Sequence, residues 1–385
     1  MVGIWSKIVP GTSKKKTTAQ HDHIACCFQG GGALGAYQVG VMQALHEAGY
    51  HPDWFCGTSI GAINAAIAAG NTVEDRIPKL EQFWSSIATQ TMIDESFLPT
   101  DILSQRFQNH MSAQTTLLYG QPGFFTPRLL PPTPGCHSEP QSLSFYDTSP
   151  LRSTLERVVD FDRINSGHVR LSVGAVEIGS GKMTYFDSKE TPLTPEHIMA
   201  SGALPPGFPA IEIDGRFYWD GGLSSNSPIA YVLLKQQAAS LLCFMVNLFD
   251  SNGLVPTTLD EIEKRKKDIE FASKYYNFVE LQQEIHALKY TIHQLSKHIP
   301  EAKKKLTAIK NGLELGWNSS VSLVRFQYKG EDTELSSKDY EFSHQTITRH
   351  IQTGYNDGKK GVKKSPWLKP VSLGIGITCH DVTGE

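Results

Sequence analysis

The sequence predicts an α/β fold with a central, mainly parallel sheet covered by helices. Three observations carry this. A glycine loop, Gly30-Gly31-Gly32-Ala33-Leu34-Gly35, lies between an apolar strand-like run and a helical pattern. Gly57-Thr58-Ser59-Ile60-Gly61 lies between a second such run and a strongly apolar helix. Strand and helix signals then keep alternating, which is the pattern of a sheet sandwiched by helices.

The elements follow in order. Ile24 to Phe28 reads as a buried strand, and Val39, Met42, Leu45 and Ala48 mark one helix face closed by Gly49. Ala62 to Ala69 reads as a buried helix ending at Gly70. Asp75 to Ile93 reads as helix, with Ile77, Leu80, Phe83, Trp84 and Ile87 on one face. Residues 94–145 hold seven prolines and read as a loop or cap, whose Phe124, Phe125, Leu129 and Leu130 either line an acyl groove or pack as surface cover. Ser149 to Val159 is a helix with Pro150 in its first turn. Val169 to Ile178 and Lys182 to Phe186 form a hairpin across Gly179-Ser180-Gly181. Phe217 to Trp219 and residues 241–248 are strands.

From about Thr257 the composition shifts. Lys264-Arg265-Lys266-Lys267 opens a helical region in which Leu281, Ile285, Leu288, Ile292, Leu295 and Ile299 alternate at spacings of four and three. The stripe reads as packing on the core, as a homodimer seam through 281–299, or as a membrane-surface helix with a basic rim. Pro300 ends it, and Glu301-Ala302-Lys303-Lys304-Lys305 begins a second basic helix. Val321 to Tyr328 reads as a strand, Ser343 to Tyr355 as a helix, and the tail from Gly358 as mobile. The expected organisation is a flexible segment 1–20, a catalytic domain 21–250 with the cap at 94–145, and a helical C-terminal extension 257–385.

The chemistry rests on three motifs. A serine at a sharp strand-to-helix turn is held in strained geometry, and Gly57 and Gly61 let that turn close. Its hydroxyl then sits at the positive end of a helix dipole, which suits a nucleophile. Bare N–H groups on a strand-to-helix glycine loop can cradle a phosphate or an oxyanion. Trp219-Asp220-Gly221-Gly222 ends a strand on an aspartate, which could serve the serine as base.

Glycine loop, G-x-S-x-G and D-G-G in this order resemble the patatin-like phospholipases, of the bacterial type. Ala200-Ser201-Gly202-Ala203-Leu204-Pro205-Pro206-Gly207-Phe208-Pro209 also looks like the family's alanine-serine helix end and proline loop. The match covers about residues 22–250. The resemblance implies a three-layer α/β/α sandwich and a two-residue dyad, Ser59 as nucleophile and Asp220 as base. It implies an oxyanion loop of Gly30, Gly31, Gly32 and Gly35, joined by the N–H of Ile60. It also implies a fatty-acyl ester substrate, a phospholipid or lysophospholipid met at a lipid surface. One departure is Leu34, where the family often carries Arg or Lys.

Other readings stay open. The function could be that of a broader carboxylesterase, or of a hydrolase with a histidine triad drawn from His286, His293, His298, His344 or His350. Gly30-x-Gly32-x-x-Gly35 also satisfies the dinucleotide fingerprint, with Asp53 as the ribose-binding acid. That would leave Ser59 and Asp220 idle.

The 385 residues are 39% hydrophobic and 19% charged, enough for a sizeable core. A net charge of −3 gives no basic field for nucleic acid. The six cysteines show no CxxC pair, so no zinc site or disulfide framework is expected, and neither is a metal or cofactor. With no signal-like h-region and no run of 18 apolar residues, the expected location is cytoplasmic or peripheral to a membrane.

Overall fold

The computed structural model describes residues 21–89, 101–135, 137–272, 275–316, 319–369 and 376–383. The N-terminal segment 1–20 and Cys136 lie outside them. The first half runs β1 (His23–Phe28), α1 (Ala36–Glu47), β2 (Trp54–Thr58), α2 (Ile60–Ala69), α3 (Arg76–Ile87), α4 (Ile102–Tyr119), β3 (Thr126–Pro127), β4 (Tyr146–Asp147), α5 (Ser149–Val158) and α6 (Phe161–Asn165). Then come β5 (Arg170–Glu177), β6 (Met183–Asp187), α7 (Pro195–Ser201), β7 (Ile211–Ile213), β8 (Arg216–Asp220), α8 (Ile229–Lys235) and β9 (Ser240–Asn247). The last part is α9 (Leu259–Phe271), α10 (Tyr275–Ser296), α11 (Glu301–Lys304), α12 (Thr307–Glu314), β10 (Ser320–Gln327), α13 (His344–Lys364) and β11 (Ile377–Asp381).

Among the described residues, nine strands make one sheet in the order β11-β10-β9-β1-β2-β5-β8-β7, with β6 also on β5. Pairing is parallel from β11 to β5 and antiparallel where β5 meets β6 and β8. Alternation along each strand feeds two cores. Cys26 and Phe28 join α1, α2, α3 and α13 on one face. Ala25, Cys27 and Cys243 join α8 and Val279 of α10 on the other. The three layers are therefore helices, sheet, helices. The Cys27 and Cys243 sulfurs lie 3.6 Å apart as free thiols.

Three sequence expectations need correction. The first is the C-terminal third, which is not a helical appendage. β10 pairs along its whole length with β9, β11 continues the sheet, and α13 lies along α1. The second is the tail from Gly358, whose residues to Lys364 belong to α13, while 370–375 and 384–385 lie outside the described residues. Gly354 and Gly358 face α1, where a Cβ on Gly354 would overlap the Tyr37 carbonyl and one on Gly358 would press on Ala44, while Gly361 packs on Phe326. The glycines that suggested mobility are what lets two helix backbones approach.

The third is the 94–145 region. Residues 102–119 contain no glycine or proline, and Asp101 caps them by accepting the Ser104 N–H at 3.0 Å. They form the 18-residue helix α4.

The basic run at 264–267 does not make an open cationic rim. Lys264 donates to the Glu334 carbonyl at 3.2 Å, Arg265 to the Asp250 carbonyl at 3.1 Å, and Lys267 to the Ser336 carbonyl and Asp339. In the stripe of α10, Leu281, Leu288 and Leu295 are exposed. Ile285, Ile292 and Ile299 are half-buried, and Val279, Gln282 and His286 face inward. No described helix is long and apolar enough to cross a membrane.

Candidate active site

Parallel pairing sets both glycine motifs at one edge of the sheet, because each follows the C-terminal end of its strand. Ligands of open α/β sheets bind along that edge. The register does the rest. Thr58 pairs with Gly174 where β2 ends, and Ala175, the next residue of β5, pairs with Asp220, while β6 holds the opposite edge of β5 at both positions. Ser59 and Asp220 thus meet on the same edge of β5, where β8 takes over from β2, although 161 positions separate them in sequence.

Ser59 has φ +55° and ψ −127°, in a region an L-residue rarely occupies. The surrounding fold enforces it. A Cβ on Gly57 would overlap the Gly61 carbonyl, and one on Gly61 would overlap the Phe28 carbonyl. The Ser59 N–H donates to the Ser201 carbonyl at 3.1 Å and to Ser201 Oγ at 3.0 Å. Ser201 Oγ in turn donates to the Gly174 carbonyl at 2.6 Å. Ser201 was visible in the sequence only as part of the alanine-serine helix end; its hold on the elbow appears only in three dimensions.

Asp220 is buried and ends β8. Burial raises its carboxyl to about 6, against the opposing pull of hydrogen bonds from Ser59 and the Gly222 N–H. The Gly222 bond is 2.7 Å. The shift places a carboxylate with nearly the basicity of an imidazole beside the serine hydroxyl.

The glycine loop divides in its duties. Gly30 is tied at both ends to Asn226, its N–H donating to the Asn226 carbonyl at 3.3 Å and its carbonyl accepting from Asn226 Nδ2 at 3.0 Å. Its N–H is therefore occupied. Gly31 and Gly32 line the cavity, and Gly32 has φ +55°. Among the described residues their N–H groups donate to no protein acceptor. Gly35 lies off the cavity, against Ile60 and Trp84, so it seats the loop on the elbow helix rather than contacting a ligand. Asn226 was missed in the sequence. Its only signal was closeness to the D-G-G turn, six residues after Asp220.

The cavity holds about 340 Å³. Ser59, Asp220, Gly31 and Gly32 form its polar end, and Phe124, Phe125, Phe208 and Phe342 its apolar body. These rings stack edge to face and tilted, with centroids 5.0–6.1 Å apart. Of the four apolar residues suggested for a groove, Phe124 and Phe125 line it, while Leu129 and Leu130 point into solvent.

No histidine lines the cavity among the described residues. His286 lies on α10 and pairs with the Ser319 carbonyl at 2.7 Å, and His350 is buried against Glu334 at 3.2 Å. His293 and His298 belong to the α10 region, and His344 opens α13. The dinucleotide reading fails on topology. Asp53 precedes β2 while the glycine loop follows the parallel β1, so the two lie at opposite sheet edges. Asp53 pairs there with His23 at 2.8 Å. Among the described residues no cluster of His, Cys, Asp and Glu is arranged to hold a metal ion.

The patatin-like phospholipase family model matches residues 26–233, and a second model, described as patatin phospholipase, matches 269–373. The chain belongs to the patatin-like phospholipase family and has its fold, a mainly parallel sheet between helices.

Triacylglycerol lipase ptl3 of Schizosaccharomyces pombe is 40% identical over 77 residues, covering 20% of this chain and 15% of that one. A patatin-like phospholipase domain-containing protein of Chaetomium globosum is 41% identical over 61 residues, covering 16% and 7%. The chain therefore aligns with only a small part of these relatives' length. Both are fungal, so the bacterial type expected from the sequence finds no support in them. VipD from Legionella pneumophila resembles the structure with a TM-score of 0.36 at 14% identity, covering 91% of this chain and 69% of that one. A SpcU–ExoU complex from Pseudomonas aeruginosa gives 0.28 at 15%, covering 75% and 60%. Both scores are too low to add to the family match.

Proposed function

Given this membership, we propose that the chain is a serine acyl hydrolase that cleaves fatty-acyl esters of lipids with a Ser59–Asp220 dyad. The observation that carries the reading is a strained, cavity-lining serine hydrogen-bonded to a buried carboxyl raised to about 6. Asp220 accepts the hydroxyl proton as Ser59 Oγ attacks the ester carbonyl. The Gly31 and Gly32 N–H groups, with that of Ile60, receive the oxyanion. Collapse of the tetrahedral intermediate breaks the ester C–O bond, and the leaving alkoxide takes the proton from Asp220. Asp220 then deprotonates a water that attacks the acyl-serine, and as the acyl C–Oγ bond breaks Ser59 Oγ takes the proton back from Asp220 and the fatty acid leaves. The aromatic body of the cavity holds the acyl chain.

The test is fluorophosphonate labelling of the intact chain with mapping of the labelled residue, beside hydrolysis of a lipid panel. Ser59→Ala should lose both labelling and turnover while melting as the parent does. Labelling at another serine would overturn the assignment.

On substrate, phospholipid or lysophospholipid follows from the family. A second reading, neutral acylglycerol, is favoured by one observation. No Lys or Arg lines the cavity among the described residues, and Leu34 occupies the loop position where a cation is common. A phosphate headgroup would then lack a charge-assisted partner inside the site. The same panel, run with phospholipid and triacylglycerol of equal chain length, separates the two.

A further inference from the structure

Helix α4 is built inside out. It buries Asn109, Ala113 and Thr116 against the protein. It exposes Leu103 at 76%, Phe107 at 65%, Met111 at 50% and Leu118 at 67%. At 3.6 residues per turn these four side chains fall within an arc of about 80°. An amphipathic helix on a water-facing surface shows the reverse pattern. The seat of α4 is polar. Asn109 donates to the Thr333 carbonyl and Arg106 to the Asp332 carbonyl, each at 3.0 Å, and Thr116 to Gln121 at 3.3 Å. Arg106 is the only Asp, Glu, Lys or Arg between Ile102 and Tyr119. The outward stripe is thus uncharged and mainly apolar, with Gln114 the polar side chain inside its arc.

The stripe is continuous with the mouth of the cavity. Leu117, at the same end of α4, lines the cavity, and its carbonyl accepts from the Tyr146 hydroxyl at 2.8 Å. The Tyr146 N–H reaches the Gly207 carbonyl and the Phe145 N–H the Pro206 carbonyl, both on the cavity's proline loop. Phe145 and Leu204 are exposed there, and Leu204 also lines the cavity. The Phe145 carbonyl accepts the Arg128 N–H, which leads directly into exposed Leu129 and Leu130.

We propose that α4, with Leu129, Leu130 and Phe145, is the surface by which the protein enters a lipid–water boundary, setting the cavity mouth against the lipid. The occupant follows from the chemistry of the face. An uncharged apolar stripe gains nothing from anionic headgroups and gains most from hydrocarbon. It also adjoins an aromatic cavity that would take its acyl chain from that phase. No described helix can span the bilayer, so the attachment is interfacial. This surface is distinct from the basic segment at 264–267, three of whose four cations bond within the protein. The inference rests on reading the cavity as an acyl-ester site.

The experiment uses the full chain carrying Ser59→Ala and phosphatidylcholine vesicles, in flotation at low and high salt. The protein should float equally at both. In that background Phe107→Ser with Leu118→Ser should lower partitioning at least ~10-fold, since two large side chains lose their apolar phase. With Ser59 intact, the same pair should leave hydrolysis of water-soluble p-nitrophenyl butyrate unchanged and lose most hydrolysis of vesicle lipid. A parent that hydrolyses the soluble ester yet does not float would overturn the proposal. So would a double variant that floats as the parent does, or one whose only effect is to convert a dimer to monomer in size-exclusion chromatography with light scattering. A chain that floats through α4 but hydrolyses neither ester would overturn the acyl-hydrolase reading and leave the surface standing.

Discussion

The cavity has two walls built by different physics. On one side the glycine loop and the elbow meet backbone to backbone, with no room for a single added carbon at Gly57 or Gly61. On the other, the segment 331–343 presents Asp339, Tyr340 and Phe342 to the cavity and is pinned by buried charge. Glu334 accepts from the Tyr328 hydroxyl and from His350, and Lys338 joins Asp268 at 2.6 Å. Burial alone would raise the Glu334 carboxyl, but His350, Lys338 and Tyr328 outweigh it and bring it to about 2. The first wall is steric and indifferent to pH. The second is ionic and depends on proton state. The two walls touch, because a Cβ on Gly32 would overlap the Asp339 carbonyl.

Substitutions that break one wall and spare the other test the contrast. The largest effect should come from Gly61→Val, which drives two branches into the Phe28 backbone. It should destabilise by more than ~4 kcal/mol, read as loss of soluble, cooperatively melting protein. Next is the ionic wall. Glu334→Gln keeps the shape but takes the carboxylate from His350 and leaves Lys338 with Asp268 alone, and should lower stability by about 3 kcal/mol in denaturant melts. The contribution of Glu334 should be fully present above its unfolded value near 4.5 and fade as pH falls toward about 2, since a depressed carboxyl favours the folded state only while ionised. A Glu334→Gln variant as stable as the parent at neutral pH would mean the cluster is not what holds this wall.

Asp220→Asn should spare both walls and remove at least ~10² in turnover without lowering the melting temperature. The parent's kcat/KM should rise through about pH 6 as Asp220 ionises and fall below it, because the base acts only as carboxylate. A profile flat from pH 5 to 8 would exclude Asp220 as the base. The smallest effect should come from exposed Lys266→Gln, within about 0.5 kcal/mol. Lys267→Gln should lose more, since Lys267 ties α9 to Ser336 and Asp339.

The steric wall was legible in the sequence and the ionic wall was not. Gly57, Gly61 and the 30–35 loop stand within a few residues of the serine or strand they serve, and glycine is the residue such turns demand. Tyr328 ends a predicted strand and His350 lies in a predicted helix, but no local pattern joins them to Glu334 and Lys338 until β10 and α13 bring the four together. α4 carries no apolar-inward helix pattern, because its large side chains point outward. The partners of the run at 264–267 are hidden in the sequence, because four cations in a row suggest a solvated face, whereas the carbonyls that bind three of them lie 15–70 residues away.

By itself the sequence determined the strand-loop-helix units, the strained serine, the order of the three motifs and the aspartate that ends a strand. All of these depend on backbone freedom and side-chain period over a few residues, which local composition specifies. Only the tertiary structure decided that Ser59 and Asp220 meet on one edge of β5, that Ser201 and Asn226 hold the elbow and the loop, and that β10 and β11 complete the sheet. Sheet register and helix seating are set by contacts between segments far apart in the chain, and no local pattern encodes the partner.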